Sequence, residues 1–169
     1  MLVLLSAAGI ASADRKWNAL ENDALHDPKN PSLRLLQQPA EALMLLPSDP
    51  AGNQVDWVAA IEDGYIKPRD SMLGYTDERL LDTDILMKDT GDSRYVLFPH
   101  LPHTYWLGCD NCHESIFKSK VGETPINMLE ILQGKYCGQC HGAVSFPLTE
   151  CNRCHSVTQE DAKLYESSK

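Results

Sequence analysis

The six cysteines of the chain occur in three units of identical pattern. Each unit reads Cys-x-x-Cys-His, and together they use every cysteine: Cys109, Cys112 and His113; Cys137, Cys140 and His141; Cys151, Cys154 and His155. Two cysteines three positions apart can both form thioethers with the vinyl groups of one porphyrin. The adjacent histidine then lies under the iron as its proximal ligand. The pattern therefore predicts three covalently attached c-type haems.

Three other uses of cysteine explain the pattern less well. A disulfide framework gives no reason for a histidine after every cysteine pair. A thioredoxin-like redox motif occurs once, on a βαβ unit, and not three times in a short segment. Zinc ribbons combine two Cys-x-x-Cys pairs around one metal ion, which an odd number of pairs does not suit.

Three haems have six axial positions, of which the histidines of the three units fill three. The chain has six histidines, so three remain: His26, His100 and His103. His100 and His103 lie three residues apart in a proline-containing segment just before the first unit, which allows one segment to supply ligands to two irons. The last position is left to Met128, in a predicted short helix before the second unit, to His26, or to no protein ligand.

Residues 84–157 resemble the c7-type trihaem cytochrome domain, a class III relative of the tetrahaem cytochromes c of anaerobic bacteria. The resemblance rests on the segment Phe98-Pro99-His100-x-x-His103, on the three Cys-x-x-Cys-His units, and on the pattern of residues 126–142. It implies a mainly irregular and α-helical multihaem fold and a role in electron transfer.

The resemblance also implies a set of axial ligands. On the first two irons it implies the pairs His100 with His113, and His103 with His141. Small single-domain members of the family use a histidine just upstream of the second unit for the last iron, but Gln133 stands there in this chain. Some multi-domain members use a methionine, which implies the pair Met128 with His155.

Local patterns predict the same class of fold, mainly irregular and α with a small β-hairpin. Two apolar runs, 84–88 and 94–98, flank a glycine-containing turn and predict the hairpin. The short helix before the second unit should have Pro125 in its first turn and Gly134 just after its end. Short helices should carry the haem units, and the aromatic content of 7% agrees with an interior built from porphyrin.

The chain is expected to have four segments: a signal peptide (1–13), an N-terminal helical and loop extension (14–83), the trihaem domain (84–157) and a C-terminal tail (158–169). Residues 2–13 are apolar and end in Ala-Ser-Ala, which is typical of a secretory signal peptide, although a buried helix is the alternative. Export predicts a periplasmic protein of a Gram-negative bacterium.

The N-terminal extension is rich in proline and in acidic residues. Residues 14–83 carry seven basic and thirteen acidic side chains, and three short helices are predicted at 32–38, 40–46 and 55–63. The extension either wraps the haem domain or offers an acidic docking surface to a basic partner.

Charge and hydropathy exclude several classes of partner. The net charge of −9 makes the chain a poor candidate for binding nucleic acid. No apolar run reaches the roughly 18–20 residues that a membrane span needs.

The haem units and the resemblance together predict the function. The expected function is electron transfer with redox-partner proteins, and not catalysis. The alternatives are a multihaem reductase or peroxidase with an open third iron, and an electron-relay subunit of a larger respiratory complex.

Overall fold

The computed structural model describes residues 15–68, 73 and 79–167. The predicted signal peptide, residues 1–13, lies outside the described residues. Contacts between Cα atoms divide the chain into two compact units, Met1–Ala60 and Ile61–Lys169. The expected boundaries of the four segments stay predictions.

The first unit contains short helices that begin at prolines or polar caps. It has 3₁₀ helices at Leu20–Asn22 and Pro31–Leu35, followed by α1 (Pro39–Leu43) and α2 (Trp57–Glu62). A proline at the first helical position loses no hydrogen bond, and its fixed φ suits a helix. The elements are shorter than the apolar runs that predicted them.

The first unit has a small apolar core of its own. Its buried side chains are Leu20, Ala51, Val55 and Ala60. Hydrogen bonds at Asn53 stabilise the turn between α1 and α2. The Asn53 carbonyl oxygen accepts one from the Trp17 indole at 2.7 Å. The Asn53 side-chain oxygen accepts a second one from the Trp57 indole at 3.0 Å.

The second unit contains a three-stranded antiparallel sheet in the order β1-β2-β3. The predicted hairpin is present as β1 (Asp84–Met87) and β2 (Tyr95–Pro99), with Asp84 opposite Pro99. A third strand, β3 (His155–Val157), pairs with the other edge of β2. No sequence pattern predicts β3, because three residues are too few for an alternating pattern to show.

Short helices complete the second unit. The α-helices are α3 (His100–Thr104), α4 (Met128–Leu132), α5 (Cys151–Cys154) and α6 (Gln159–Ser167), and 3₁₀ helices span Cys109–Asn111 and Tyr136–Gln139. The predicted class, mainly irregular and α with a small β-hairpin, is confirmed, and so is the expectation that short helices carry the cysteine units. Most of the predicted C-terminal tail, residues 158–169, forms α6.

Helix α4 begins later than predicted. Pro125 lies outside it, and Asn127 is the N-terminal cap, since its side-chain oxygen accepts a hydrogen bond from the Glu130 backbone at 3.0 Å. The end of the helix is as predicted. Gly134 has a φ of +84°, and the backbone N–H groups of Gly134 and Lys135 donate to carbonyls of the last turn at 3.0 and 2.9 Å. This is the glycine-terminated helix end known as the Schellman motif.

The second unit buries almost no side chain. Between residues 79 and 167, the described part of the chain has one buried residue, Ala162. Large apolar side chains are instead exposed at α4, where Leu129 and Leu132 are 67% and 63% exposed. Among all described residues, no helix is long and apolar enough to cross a membrane.

Candidate haem site

The first two cysteine units share one local structure. Each starts in a 3₁₀ helix, and the backbone N–H of its histidine donates to the carbonyl of its first cysteine. The N–O distance is 2.9 Å from His113 to Cys109 and 3.0 Å from His141 to Cys137. This turn brings the two cysteines and the histidine of each unit to the same stretch of surface, as attachment to one porphyrin requires.

The third unit is built differently. Its cysteines lie on α5, and its histidine is the first residue of β3, where His155 pairs with Val96 of β2. The His155 Nδ1 atom lies 2.8 Å from the carbonyl oxygen of Arg94, a residue 61 positions earlier. The hairpin therefore orients the third histidine, whereas local turns orient the first two.

The two upstream histidines lie on α3, directly after β2. The Nδ1 atom of His100 is 2.6 Å from the carbonyl oxygen of Thr83, and that of His103 is 2.7 Å from the carbonyl oxygen of Pro99. The Phe98 ring lies against both imidazoles, with centroid distances of 5.0 Å to His100 and 4.4 Å to His103. Both rings are thus held by the hairpin and its last aromatic side chain.

All five predicted histidine ligands share one hydrogen-bonding arrangement, in which Nδ1 faces a backbone carbonyl. The carbonyls belong to Thr83 for His100, Pro99 for His103, Phe117 for His113, Phe146 for His141, and Arg94 for His155. A carbonyl oxygen can only accept, so Nδ1 carries the hydrogen and the neutral ring keeps its lone pair on Nε2. Metal-ligating histidines are oriented in this way.

His103 and His141 come together as the resemblance implies. Their ring centroids are 6.2 Å apart. A centroid separation of this size is compatible with two imidazoles that bind one metal ion, since a metal–imidazole bond is about 2 Å long. Burial lowers the pKa of both histidines, which favours the neutral ring that a metal needs.

All three ligand pairs stay predictions. His100 and His113 each have the common Nδ1 hydrogen bond, but no ring contact joins them in the structure described above. Met128 is the first residue of α4 and is 46% exposed. His26, the alternative to Met128, lies in the first unit, where its Nδ1 atom contacts the Asp23 carboxylate at 2.7 Å.

The cysteines are free thiols and not disulfides. Burial raises the pKa of Cys112, and the neighbouring Cys140 and Cys109 raise it further. Burial also raises the pKa of Cys137, to which Cys154 adds. No group of three or more His, Cys, Asp or Glu side chains within residues 15–68, 73 and 79–167 is placed to hold a bare metal ion.

Gly138 allows α4 to pack against the second cysteine unit. It lies between the cysteines of the second unit, and a Cβ atom there would stand 2.0 Å from the Ile131 carbonyl oxygen. Only glycine therefore lets α4 pack this closely against the second unit. The sequence shows the glycine but not the reason for it, because the contact depends on the path of α4.

The donor set and the packing both suit haem. A haem iron bound by two protein side chains would take them from pairs of histidines such as His103 and His141, whose rings are neighbours. The unit that carries the cysteines has exposed leucines where an ordinary domain has a core. A flat apolar group of porphyrin size would cover such surfaces.

A comparison with family models supports the haem interpretation. Residues 96–161 match the family described as cytochrome c7 and related cytochrome c. The chain therefore contains a c7-type cytochrome domain. Such a domain binds c-type haems and functions in electron transfer. The match begins within β2, includes α3 and all three cysteine units of the c7 domain, and ends within α6.

Two solved structures are similar to the chain. A c7-type three-haem cytochrome domain is 28% identical, with a TM-score of 0.41, and the match covers 47% of this chain and 99% of that one. A C-terminal hexahaem fragment is 29% identical, also with a TM-score of 0.41, and the match covers 46% of this chain and 50% of the fragment. No curated protein matches the chain.

Proposed function

We propose that the c7 domain holds three covalently attached haems and relays electrons between redox-partner proteins in the periplasm of a Gram-negative bacterium. The observation that carries the proposal is the shared orientation of five histidines, each with Nδ1 on a backbone carbonyl. Three of them belong to the cysteine units, and His100 and His103 supply two further positions.

The residues divide into two roles. The cysteines of the three units are the points of covalent attachment: Cys109, Cys112, Cys137, Cys140, Cys151 and Cys154. The proposed axial pairs are His100 with His113, His103 with His141, and Met128 with His155. The 6.2 Å separation of His103 and His141 supports the second pair.

Each bound haem supplies a one-electron Fe(III)/Fe(II) couple. The protein sets the properties of that couple through the ligands that it offers and through their hydrogen bonds. A carbonyl that accepts from Nδ1 makes the imidazole a stronger donor, which favours the ferric state. A thioether ligand favours the ferrous state relative to imidazole, so the third site, with Met128, should have the highest potential of the three.

Filled axial positions argue for a relay and against an enzyme. An iron with two protein ligands has no open position for a substrate, and our proposal gives every iron two. The reductase alternative needs an open third iron, which requires that Met128 does not bind. That requirement makes the two functions separable by experiment.

The deciding experiment is EPR spectroscopy together with a redox titration that resolves each haem of the purified holoprotein. We expect three low-spin haems, two of them bis-histidine and one histidine–methionine, with the third at the highest potential. Met128→Ala should remove the histidine–methionine signal, while the neighbouring exposed change Leu129→Ala serves as the control. A high-spin third haem that binds nitrite or cyanide in the unmodified protein would contradict the relay and favour the reductase.

A further inference from the structure

Helix α6 presents one face to strand β1. Ala162, Tyr165 and Glu166 are spaced three and four residues apart, which places them on the same side of the helix. Ala162 is buried, with 2% of its surface exposed. The Tyr165 hydroxyl donates to the Asp84 carbonyl oxygen at 3.3 Å, and the Glu166 carboxylate pairs with the Lys88 ammonium group.

These contacts hold β1 at both of its ends. Asp84 is the first residue of the strand, and Lys88 directly follows the last one. β1 is an edge strand, since the order of the sheet is β1-β2-β3. Hydrogen bonds to β2 fix it along one side, and α6 supplies contacts from outside the sheet.

At the end of β1 that Tyr165 contacts, the preceding residue is hydrogen-bonded to His100, a predicted haem ligand. Thr83 precedes Asp84, and its carbonyl oxygen accepts two hydrogen bonds from His100. One comes from the backbone N–H at 3.2 Å and the other from the imidazole Nδ1 at 2.6 Å. A displacement of Asp84 therefore moves the one oxygen atom that orients both the backbone and the ring of His100.

We propose that Tyr165 is a positioning residue for His100 and acts through the carbonyls of Asp84 and Thr83. The proposal rests on the proposed function, in which His100 is an axial ligand of the first haem. Most of α6 lies beyond residues 96–161, the part that matches the cytochrome c7 family. The contact of Tyr165 with Asp84 therefore lies outside that match.

The physical effect follows from the hydrogen bond at Nδ1. A short bond to Thr83 raises the basicity of the His100 imidazole and limits its rotation. If Tyr165 no longer anchors Asp84, this bond weakens and the imidazole becomes a poorer donor. The ferric form of the first haem then loses stabilisation, so its potential rises, and an external ligand replaces His100 more easily.

The test compares Tyr165→Phe with Tyr65→Phe in the full-length holoprotein. Tyr165→Phe removes only the hydroxyl, so the helix and its buried Ala162 should remain. Tyr65 is 53% exposed and provides a matched control. NMR of the oxidised protein follows the methyl signals of each haem, and amide hydrogen exchange follows the His100 N–H. We expect faster exchange at His100, displaced signals and a higher potential for one haem, and faster cyanide binding at that haem.

A charge exchange at the other end of β1 provides a rescue. Glu166→Lys places two cations together and should displace the same haem signals in the same direction. Combining it with Lys88→Glu restores an ion pair and should restore the signals. Because this pair is half-exposed, both effects should be smaller than that of Tyr165→Phe.

The outcomes separate this proposal from the proposed function. Unchanged His100 exchange in Tyr165→Phe would overturn the positioning role, and so would an equal displacement of all three haems. Faster His100 exchange without any change at a haem would show that His100 is not an axial ligand, which would overturn the ligand assignment on which the proposal rests. Faster exchange with one displaced haem supports both.

Discussion

The first unit and the c7 domain differ in whether apolar side chains form a buried core. The first unit closes a small core with Leu20, Ala51, Val55 and Ala60 and ties its turn to two indole rings through Asn53. The described c7 domain, residues 96–161, is longer and buries no side chain. In place of a core, it has histidines whose Nδ1 atoms are hydrogen-bonded to backbone carbonyls.

The difference indicates that the two regions are stabilised by different groups. A side-chain core stabilises the first unit with the chain's own atoms. In the proposed function, the c7 domain provides attachment points and ligands, and porphyrin provides the apolar surface that its side chains do not. Conditions that remove haem should therefore affect the two regions unequally.

The largest expected effect comes from producing the full chain in cells that lack cytochrome c maturation. The c7 domain should then lose its slowly exchanging amides, because no core replaces the porphyrins, while amides of the first unit near Val55 and Ala60 should keep theirs. Amide exchange measured by mass spectrometry resolves the two regions. Equal protection in the c7 domain with and without haem would refute the comparison.

The next effect concerns the contact between α4 and the second cysteine unit. Gly138→Ala places a Cβ atom 2.0 Å from the Ile131 carbonyl oxygen, so the backbone must shift, at a cost of about 3 kcal/mol in unfolding free energy. Gly108→Ala, directly before the first cysteine unit, is a matched control, because the nearest atom to a Cβ there would be the Asn111 Oδ1 at 3.5 Å. Denaturant unfolding of both holoproteins compares them, and equal midpoints would count against this packing.

A somewhat smaller effect is expected in the core of the first unit. Val55 is 3% exposed, and Val55→Ala should lower the unfolding free energy by about 2 kcal/mol because a cavity remains. The three haem potentials should not change. The control is Leu45→Ala at a position 80% exposed, which should stay within about 0.5 kcal/mol of the unmodified protein. A shift of the potentials in Val55→Ala would show that the regions are coupled.

The smallest expected effect is the pH dependence of one carboxylate in the first unit. Backbone N–H groups of His26 and Leu25 donate to Asp23 and, with the His26 side chain, lower the Asp23 pKa from 3.8 to about 2. A lowered pKa in the folded state means that this contribution to stability is present above pH 3.8 and is lost as the pH falls through about 2. An NMR titration should place the Asp23 midpoint near 2. A midpoint close to 3.8 would mean that these hydrogen bonds do not persist in solution.

The haem units, the hairpin and the end of α4 at Gly134 could be predicted from sequence because each depends on neighbouring residues. The prediction that Pro125 lies in the first turn of α4 was wrong, because the helix begins after the cap residue Asn127. Strand β3, the helix α6 and the carbonyls of Thr83 and Arg94 could not be predicted. Every residue has a carbonyl group, so only the folded path of the chain selects the ones that orient His100 and His155.

The central claim is that the three Cys-x-x-Cys-His units carry covalently bound haem. Its most direct test is the mass of the holoprotein purified from cells with working cytochrome c maturation, measured together with its haem content after denaturation. We expect three haems per chain that remain attached to the denatured polypeptide. A colourless protein with the mass of the bare chain would contradict the account.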